Sequence, residues 1–126
     1  MVDALRRLHR TLVPDGVFLD MRPGPADSAV LAGGGVVGCL DESEFRRETE
    51  AVDAALLAAV REGVFALEDE VHFEVVHRFE SAALLIEDVS GWRSTRVPPE
   101  VVERVELGRP PFEVRERCFL QKLRSR

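Results

Sequence analysis

The sequence predicts an α/β domain with about three main strands, flanking helices and a possible extra hairpin. Apolar residues recur at helical spacing in two well-separated segments, and three other segments have the apolar patterns of strands. The 126 residues are 45% hydrophobic, which fits one globular domain spanning 1–126. We expect the last two strands to be antiparallel, because each shows one polar face.

The first predicted helix runs from Asp3 to about Leu12, with Asp3 as its N-cap. Leu5, Leu8 and Leu12 are three and four residues apart and give this helix an apolar face. A Pro-Asp-Gly turn at residues 14–16 ends it. The next segment, Val17 to Met21, is a predicted strand. Its continuous apolar start is typical of a strand covered on both faces, as in a parallel sheet.

A loop is predicted from Arg22 to Ser28, because it holds two prolines and a glycine. The segment from Ala29 to Leu40 has two short apolar pieces around three consecutive glycines. It predicts either a hairpin or an irregular excursion. The longest helix is expected from Ser43 to about Glu62. Ser43 or Asp41 would cap its start, and Gly63 would follow its end.

Glu70 to Phe79 alternates apolar and polar residues, which predicts a strand with one buried face. The three acidic residues 68–70, which overlap the first residue of this strand, are interpreted as a solvated turn. Two short helices follow, one from Ser81, its predicted cap, to about Val89, and one from the prolines 98–99 to about Leu107. Phe112 to Leu123 alternates again and is the last predicted strand.

Residues 5–20, LRRLHRTLVPDGVFLD, form a helix, a turn and a strand that resemble a pattern in class I S-adenosylmethionine-dependent methyltransferases. There the pattern leads into the fifth strand of a seven-stranded sheet, and Asp15 replaces the usual glycine of the turn. Later pieces resemble the tail of small-molecule (type 11) methyltransferases in the same order: residues 63–65, 77–81, 91–93 and 114–117. The resemblance covers nearly the whole chain and implies the C-terminal half of such an enzyme.

The resemblance implies no cofactor ligand in this chain. In the family, the glycine-rich loop and the acidic residue that holds the ribose belong to the N-terminal half, and no position here matches them. We therefore expect no cofactor in the isolated chain. S-adenosylmethionine would bind only if a missing half were supplied. Whether the chain is catalytic stays open, and no catalytic residue is assigned.

The segment from Gly33 to Gly38 matches G-x-G-x-x-G but does not lead directly into a helix. A dinucleotide fingerprint follows a strand and opens a helix, so that backbone N–H groups meet the phosphates. Here the residues after the glycines look extended, and the helix begins only near Ser43. We interpret the motif as a glycine turn.

The three histidines are His9, His72 and His77. His72 and His77 have opposite strand parity and should not meet, so no metal site is expected. A histidine–carboxylate pair is possible, but no spacing indicates one. None of the serines has the context of a nucleophile, and two of them are better explained as helix caps. The serines considered are Ser43, Ser81, Ser90 and Ser94.

Asp20 ends the first strand on the side where open α/β sheets bind ligands. We favour a solvated strand end or a local cap for it. Trp92, the sole tryptophan, is more often a packing anchor than a ligand contact. Four aromatic residues would line an apolar pocket if they met, although a core position explains them better: Phe65, Phe73, Phe79 and Trp92.

The formal net charge is −6, which argues against a nucleic-acid partner. Basic residues gather near the C-terminus and are interpreted as a polar strand face and a solvated tail: Arg115, Arg117, Lys122, Arg124 and Arg126. Cys39 and Cys118 have no metal or redox spacing and are expected to be buried thiols. No signal peptide or membrane span is predicted, so a cytoplasmic location is expected.

Two main functional hypotheses follow. The chain is either a degenerate or split methyltransferase piece without its own transferase activity, or a non-catalytic module that forms homo-oligomers. In a variant of the first hypothesis a partner chain supplies the cofactor half, and the sequence could also be the C-terminal part of a longer methyltransferase. Both hypotheses depend on the strand Val17–Met21. In the family a neighbouring strand pairs with one of its edges, and that edge would be uncovered here. An uncovered apolar edge tends to pair with another chain. A third hypothesis, a small-molecule binding protein or unrelated enzyme on the same fold fragment, also stays open.

Overall fold

The computed structural model describes residues 2–126, with the side chains of residues 2 and 3 outside the description. The described residues form four helices and five strands. The helices are α1 (Val2–Thr11), α2 (Ser43–Arg61), α3 (Ala82–Ser90) and α4 (Pro99–Glu106). The strands are β1 (Val17–Pro23), β2 (Ala29–Ala32), β3 (Gly35–Cys39), β4 (Phe65–Phe79) and β5 (Phe112–Ser125).

The five strands form one open sheet in which β5 has three neighbours. The order is β1-β5-β2-β3, and β4 also pairs with β5. β2 is antiparallel to both β3 and β5. β1 is also antiparallel to β5. The Gly24 N–H, just after β1, donates to the Arg117 carbonyl, and the Ser125 N–H donates to the carbonyl of Gly16, just before β1. The predicted α/β class and the hairpin are therefore confirmed. The sheet is antiparallel, so the parallel arrangement suggested by the apolar start of Val17–Met21 was wrong.

Several predicted boundaries were wrong. α1 begins at Val2, so Asp3 lies inside the helix, and its side chain is outside the description. β1 continues through Arg22 and Pro23, which were predicted to be loop. β4 begins at Phe65 rather than Glu70, so the three acidic residues 68–70 lie in a strand and not in a turn. The carboxylates of Glu68 and Glu70 have basic or polar partners on β5, and Phe65 is buried, so the polar run stays extended.

The chain divides into two compact units, and β4 and β5 contribute to both. The first, here called the edge unit, contains residues 2–22, Arg47–Phe73 and Cys118–Arg126. The second, called the hairpin unit, contains Pro23–Arg46 and Glu74–Arg117. The edge unit holds α1, β1 and most of α2, and the hairpin unit holds β2, β3, α3 and α4.

The hairpin unit has one continuous apolar core. Side chains from β2, α3, α4 and β5 pack together there, and the partly buried Trp92 lies against them. The buried members are Val30, Leu40, Leu85, Val89, Val101, Val105, Phe112 and Val114. Because the helical members are four residues apart in each helix, α3 and α4 each place one apolar face on the sheet.

The edge unit buries fewer large side chains. Phe65 and Leu123 are almost completely buried, and Leu56 of α2 is buried as well. The Phe65 ring contacts the rings of Phe18 and His9, with centroid distances of 5.7 and 5.6 Å. These contacts place Phe65 at the centre of this smaller core.

None of the helices in residues 2–126 is long and apolar enough to cross a lipid bilayer.

Candidate functional site

The outer strand β1 carries a row of exposed apolar side chains. Val17, Leu19 and Met21, here called the β1 row, are 42%, 60% and 64% exposed. Alternate residues of a strand point to the same face, so these three side chains share one face of β1. β1 pairs with β5, and in the described residues its other backbone edge has no strand beside it. The prediction that both faces of this strand are covered was therefore wrong.

The opposite face of β1 is packed and charged. Phe18 contacts the buried Phe65 ring. Asp20 is largely buried and accepts a hydrogen bond from the Arg22 Nε at 2.5 Å. The Arg22 guanidinium also pairs with Asp53 of α2, and this ion pair fixes the end of β1 against the helix. The sequence predicted a solvated strand end or a local cap for Asp20, and this prediction was wrong.

Arg22 connects this pair to β5 and β4. Its guanidinium carbon lies 4.9 Å from the Phe119 ring centre, a cation–π contact. Its Nη2 donates to Gln121, which in turn donates to Glu70 at 2.7 Å. The hydrogen bond from Gln121, followed by that from His72, lowers the pKa of the Glu70 carboxyl below its usual value. The charges of this face are therefore paired within the chain, which leaves β1 free of unpaired charge.

The two other outer strands differ from β1. β4 carries charged residues along much of its length, and charge on an edge strand opposes pairing with another chain. β3 has an irregular register with β2, and the Arg104 guanidinium donates to the Val37 carbonyl at 3.0 Å. Irregular register and a covering side chain also discourage pairing. Of the three outer strands, β1 alone combines an open edge with an apolar row.

Comparison with models of known protein families, with curated proteins and with solved structures finds no match to this chain.

The glycine-rich motif forms the hairpin turn. Gly33 and Gly34 have φ angles of +62° and +84°, which a β-carbon would disfavour, and they connect β2 to β3. Val36 to Gly38 lie in β3. The motif therefore does not open a helix, and the interpretation as a turn is confirmed.

The three histidines have separate partners. The His9 Nε2 lies 2.8 Å from the Arg126 carbonyl. His72 pairs with Glu70, and His77 pairs with Glu116 at 2.8 Å. Among the side chains described, no three metal-binding groups come together. The His77–Glu116 pair was missed from the sequence, because 39 residues separate its members and only the register of β4 against β5 reveals it.

Two of the four serines lie at helix starts. The Ser81 hydroxyl accepts the Leu84 N–H, so Ser81 caps α3 as predicted. At α2 it is the Asp41 carboxylate that accepts, from both the hydroxyl and the N–H of Ser43. These two hydrogen bonds lower the pKa of the Asp41 carboxyl. Ser90 instead donates to the Ile86 carbonyl, and Ser94 lies at a positive φ of 54°.

Several basic residues of β5 are neutralised by acidic residues of β4. Arg124 and Lys122 pair with Glu68, and Arg115 pairs with Glu74. This supports the interpretation as a polar strand face. Arg117 and Arg126 are exposed.

The aromatic residues considered for a pocket divide between the units. Phe65 and Phe73 belong to the edge unit, and Phe79 and Trp92 pack against the hairpin-unit core. Neither cysteine forms a disulfide; Cys118 is buried as expected, but Cys39 is exposed on the short strand β3.

Proposed function

We propose that this chain is a methyltransferase-like protein that acts as a non-catalytic interaction module and forms homo-oligomers through β1. The single observation that carries the proposal is the β1 row on an open strand edge. Exposed backbone N–H and C=O groups on such an edge can pair with a strand of another chain. Burying the row would at the same time remove apolar surface from water.

A second copy is the partner that fits this edge. Two identical strands that pair antiparallel are related by a two-fold axis. If the axis passes near Leu19, the Val17 side chain of one copy faces Met21 of the other, and the two Leu19 side chains face each other. The row is apolar on both sides of its centre, so on this face the register places no charge against an apolar group. On the opposite face, Phe18 of one copy would lie beside Asp20 of the other, whose carboxylate is already paired with Arg22 of its own chain. Asp20 and Arg22 are paired within their own chain and do not oppose the approach.

The methyltransferase part of the proposal is supported by the resemblance and by the order of elements. Three long strands, β1, β4 and β5, combine with helices and an inserted hairpin, and β5 lies beside both other strands. We also propose that the chain alone neither binds S-adenosylmethionine nor transfers methyl groups. The reason is that its glycine motif is a hairpin turn and none of the residues that resemble the family matches a cofactor ligand. The absence of a disulfide between Cys39 and Cys118 supports a cytoplasmic location.

The test is sedimentation of the wild-type chain and of two lysine variants at micromolar concentration. We expect a wild-type dimer and a Leu19→Lys variant whose dimer dissociates at least about tenfold more readily, because lysine on an edge strand opposes pairing. Val71→Lys is the matched control. Val71 is also exposed in the edge unit, but it lies on the charged strand β4. A wild-type monomer, or equal dissociation of both variants, would contradict the proposal.

Equilibrium dialysis with S-adenosylmethionine tests the second part. We expect no retention by the wild-type chain alone, and stoichiometric capture would overturn the non-catalytic assignment. A partner chain that supplies the cofactor half would use the same edge. In that case the chain alone would sediment as a monomer and would retain the cofactor only in the presence of the partner.

A further inference from the structure

We propose that His77, Glu116 and Trp92 form a proton-accepting site for a planar ligand that carries a weakly acidic O–H or N–H group. All three residues belong to the hairpin unit. His77 lies near the end of β4, Glu116 lies in β5, and Trp92 follows α3. The site is separate from the β1 row and does not depend on the oligomeric state proposed above.

The carboxylate fixes which ring nitrogen of His77 accepts a proton. The Nε2 lies 2.8 Å from the Glu116 carboxylate, which in its charged form can only accept a hydrogen bond. The neutral ring therefore carries its hydrogen on Nε2, and the lone pair is on Nδ1. A histidine oriented by a carboxylate in this way is the usual arrangement of a general base.

Trp92 supplies a flat apolar surface beside this base. The ring centres of His77 and Trp92 are 4.8 Å apart, and their planes are inclined by 58°. Trp92 is held in place because its backbone N–H donates to the Val89 carbonyl at 3.0 Å and its side chain packs against the buried core. Indole faces bind planar rings by offset stacking. The ligand class that fits is therefore an aromatic or heteroaromatic ring with an acidic hydrogen.

The site is accessible but partly shielded from water. The side chains of His77 and Glu116 are 34% and 22% exposed. Two other ion pairs join the same strands, Arg78 with Glu113 and Arg115 with Glu74. Their residues lie an odd number of positions from His77 on β4 and from Glu116 on β5. Alternation places those pairs on the other face of the sheet from His77 and Glu116. Of these three cross-strand pairs, the His77–Glu116 pair therefore lies on the face of the sheet that the helices cover.

A second histidine–carboxylate pair in the chain provides an internal control. His72 lies 3.0 Å from Glu70 in the edge unit, but its side chain is 73% exposed. Its aromatic neighbour is Phe119 at a centroid distance of 6.1 Å rather than a tryptophan. A ligand that needs both a shielded base and an indole surface should therefore discriminate between the two pairs.

The test uses the fluorescence of Trp92 and 4-nitrophenol as the probe. The chain has one tryptophan and no tyrosine, so its intrinsic emission reports on this site. We expect 4-nitrophenol to quench the wild-type emission with a saturable curve. The His77→Gln variant should bind about tenfold more weakly, because one hydrogen bond to the probe is lost. The His72→Gln variant should bind like the wild type.

Two outcomes would overturn the proposal. One is quenching that rises linearly without saturation, which indicates collision rather than binding. The other is equal affinity of the wild type and the His77→Gln variant. A third measurement uses the wild-type chain and so does not depend on whether a variant folds. Nitrogen NMR in alkaline buffer should show the ring hydrogen of His77 on Nε2. Finding it on Nδ1 would also contradict the proposal.

Discussion

The two units of the chain use their apolar residues differently. The hairpin unit buries eight apolar side chains in one core made from two strands, two helices and the segment after β3. Among the side chains described in the edge unit, Phe65, Leu123 and Leu56 are buried but seven large apolar side chains are exposed. These are Val13, Val17, Leu19, Met21, Leu57, Leu67 and Val71, compared with four in the hairpin unit, Val36, Val76, Leu84 and Leu107.

This difference indicates which unit offers a surface to a partner. Isolated exposed apolar residues are normal, but a row on an open strand edge is typical of an interaction site. In the edge unit three of the exposed residues form such a row on β1. In the hairpin unit the exposed residues are spread over β3, β4, α3 and the end of α4, where they form no comparable row.

The largest expected effect tests the small core of the edge unit. Phe65→Ala removes an almost completely buried ring that contacts Phe18 and His9. We expect the free energy of unfolding in urea to fall by about 3–5 kcal/mol. The matched variant Leu19→Ala removes an exposed side chain and should change it by less than about 0.5 kcal/mol at concentrations where the chain is monomeric. Similar losses for both would contradict the division into buried and exposed residues.

A smaller effect tests the tight packing of the hairpin unit. In Gly38→Ala the new β-carbon would lie 2.6 Å from Cγ2 of Val101, a buried and branched side chain that cannot easily move. We expect a loss of about 1–3 kcal/mol in urea unfolding. Gly35→Ala is the control, because its β-carbon would meet no atom closer than 4.0 Å. If Gly38→Ala is tolerated as well as Gly35→Ala, the contact between β3 and α4 is looser than described.

Local features of the fold could be predicted from the sequence. The Ser81 cap, the glycine turn and the long helix from Ser43 depend on residues close together in the chain, and each was found as predicted. The extension of β4 to Phe65 could not be found in this way. An acidic run resembles a solvated turn until its partners on β5, such as Lys122 and Gln121, are known.

The candidate sites depend more strongly on distant contacts. The open edge of β1 was expected from the family resemblance, but the exposure of one face was not, because Val17 and Phe18 are both apolar in the sequence. Arg22 was predicted to lie in a loop, and its role is visible only from Asp53 and Phe119, which are far away in the chain. The pairing of His77 with Glu116 likewise depends on strand register.

The Ser81 cap gives a prediction of intermediate size. Ser81→Ala removes the hydroxyl that accepts the Leu84 N–H at the start of α3, whose Leu85 and Val89 belong to the hairpin-unit core. We expect a loss of about 1 kcal/mol in urea unfolding. Ser81→Asp keeps an acceptor at the same position and should retain most of the stability. A loss of equal size in both variants would show that the cap does not stabilise the helix.

The smallest expected effect concerns two carboxyls with lowered pKa values, one in each unit. The Arg124 hydrogen bond, first of all, lowers the pKa of Glu68 in the edge unit, and the Ser43 hydroxyl lowers that of Asp41 in the hairpin unit. A carboxyl with a lowered folded-state pKa stabilises the fold above its usual pKa. This contribution is lost as the pH falls through the lowered value.

Removing each donor should raise one pKa and leave the other unchanged. We expect Arg124→Met to move the pKa of Glu68 up toward its usual value without affecting Asp41, and Ser43→Ala to do the reverse. Carboxyl chemical shifts followed by NMR during an acid titration measure both groups in the same sample. Because both side chains are accessible to water, the accompanying changes in stability should be small. If either substitution moved both pKa values together, the Glu68 and Asp41 carboxyls would be electrostatically coupled, and their pKa values would not be set by separate donors.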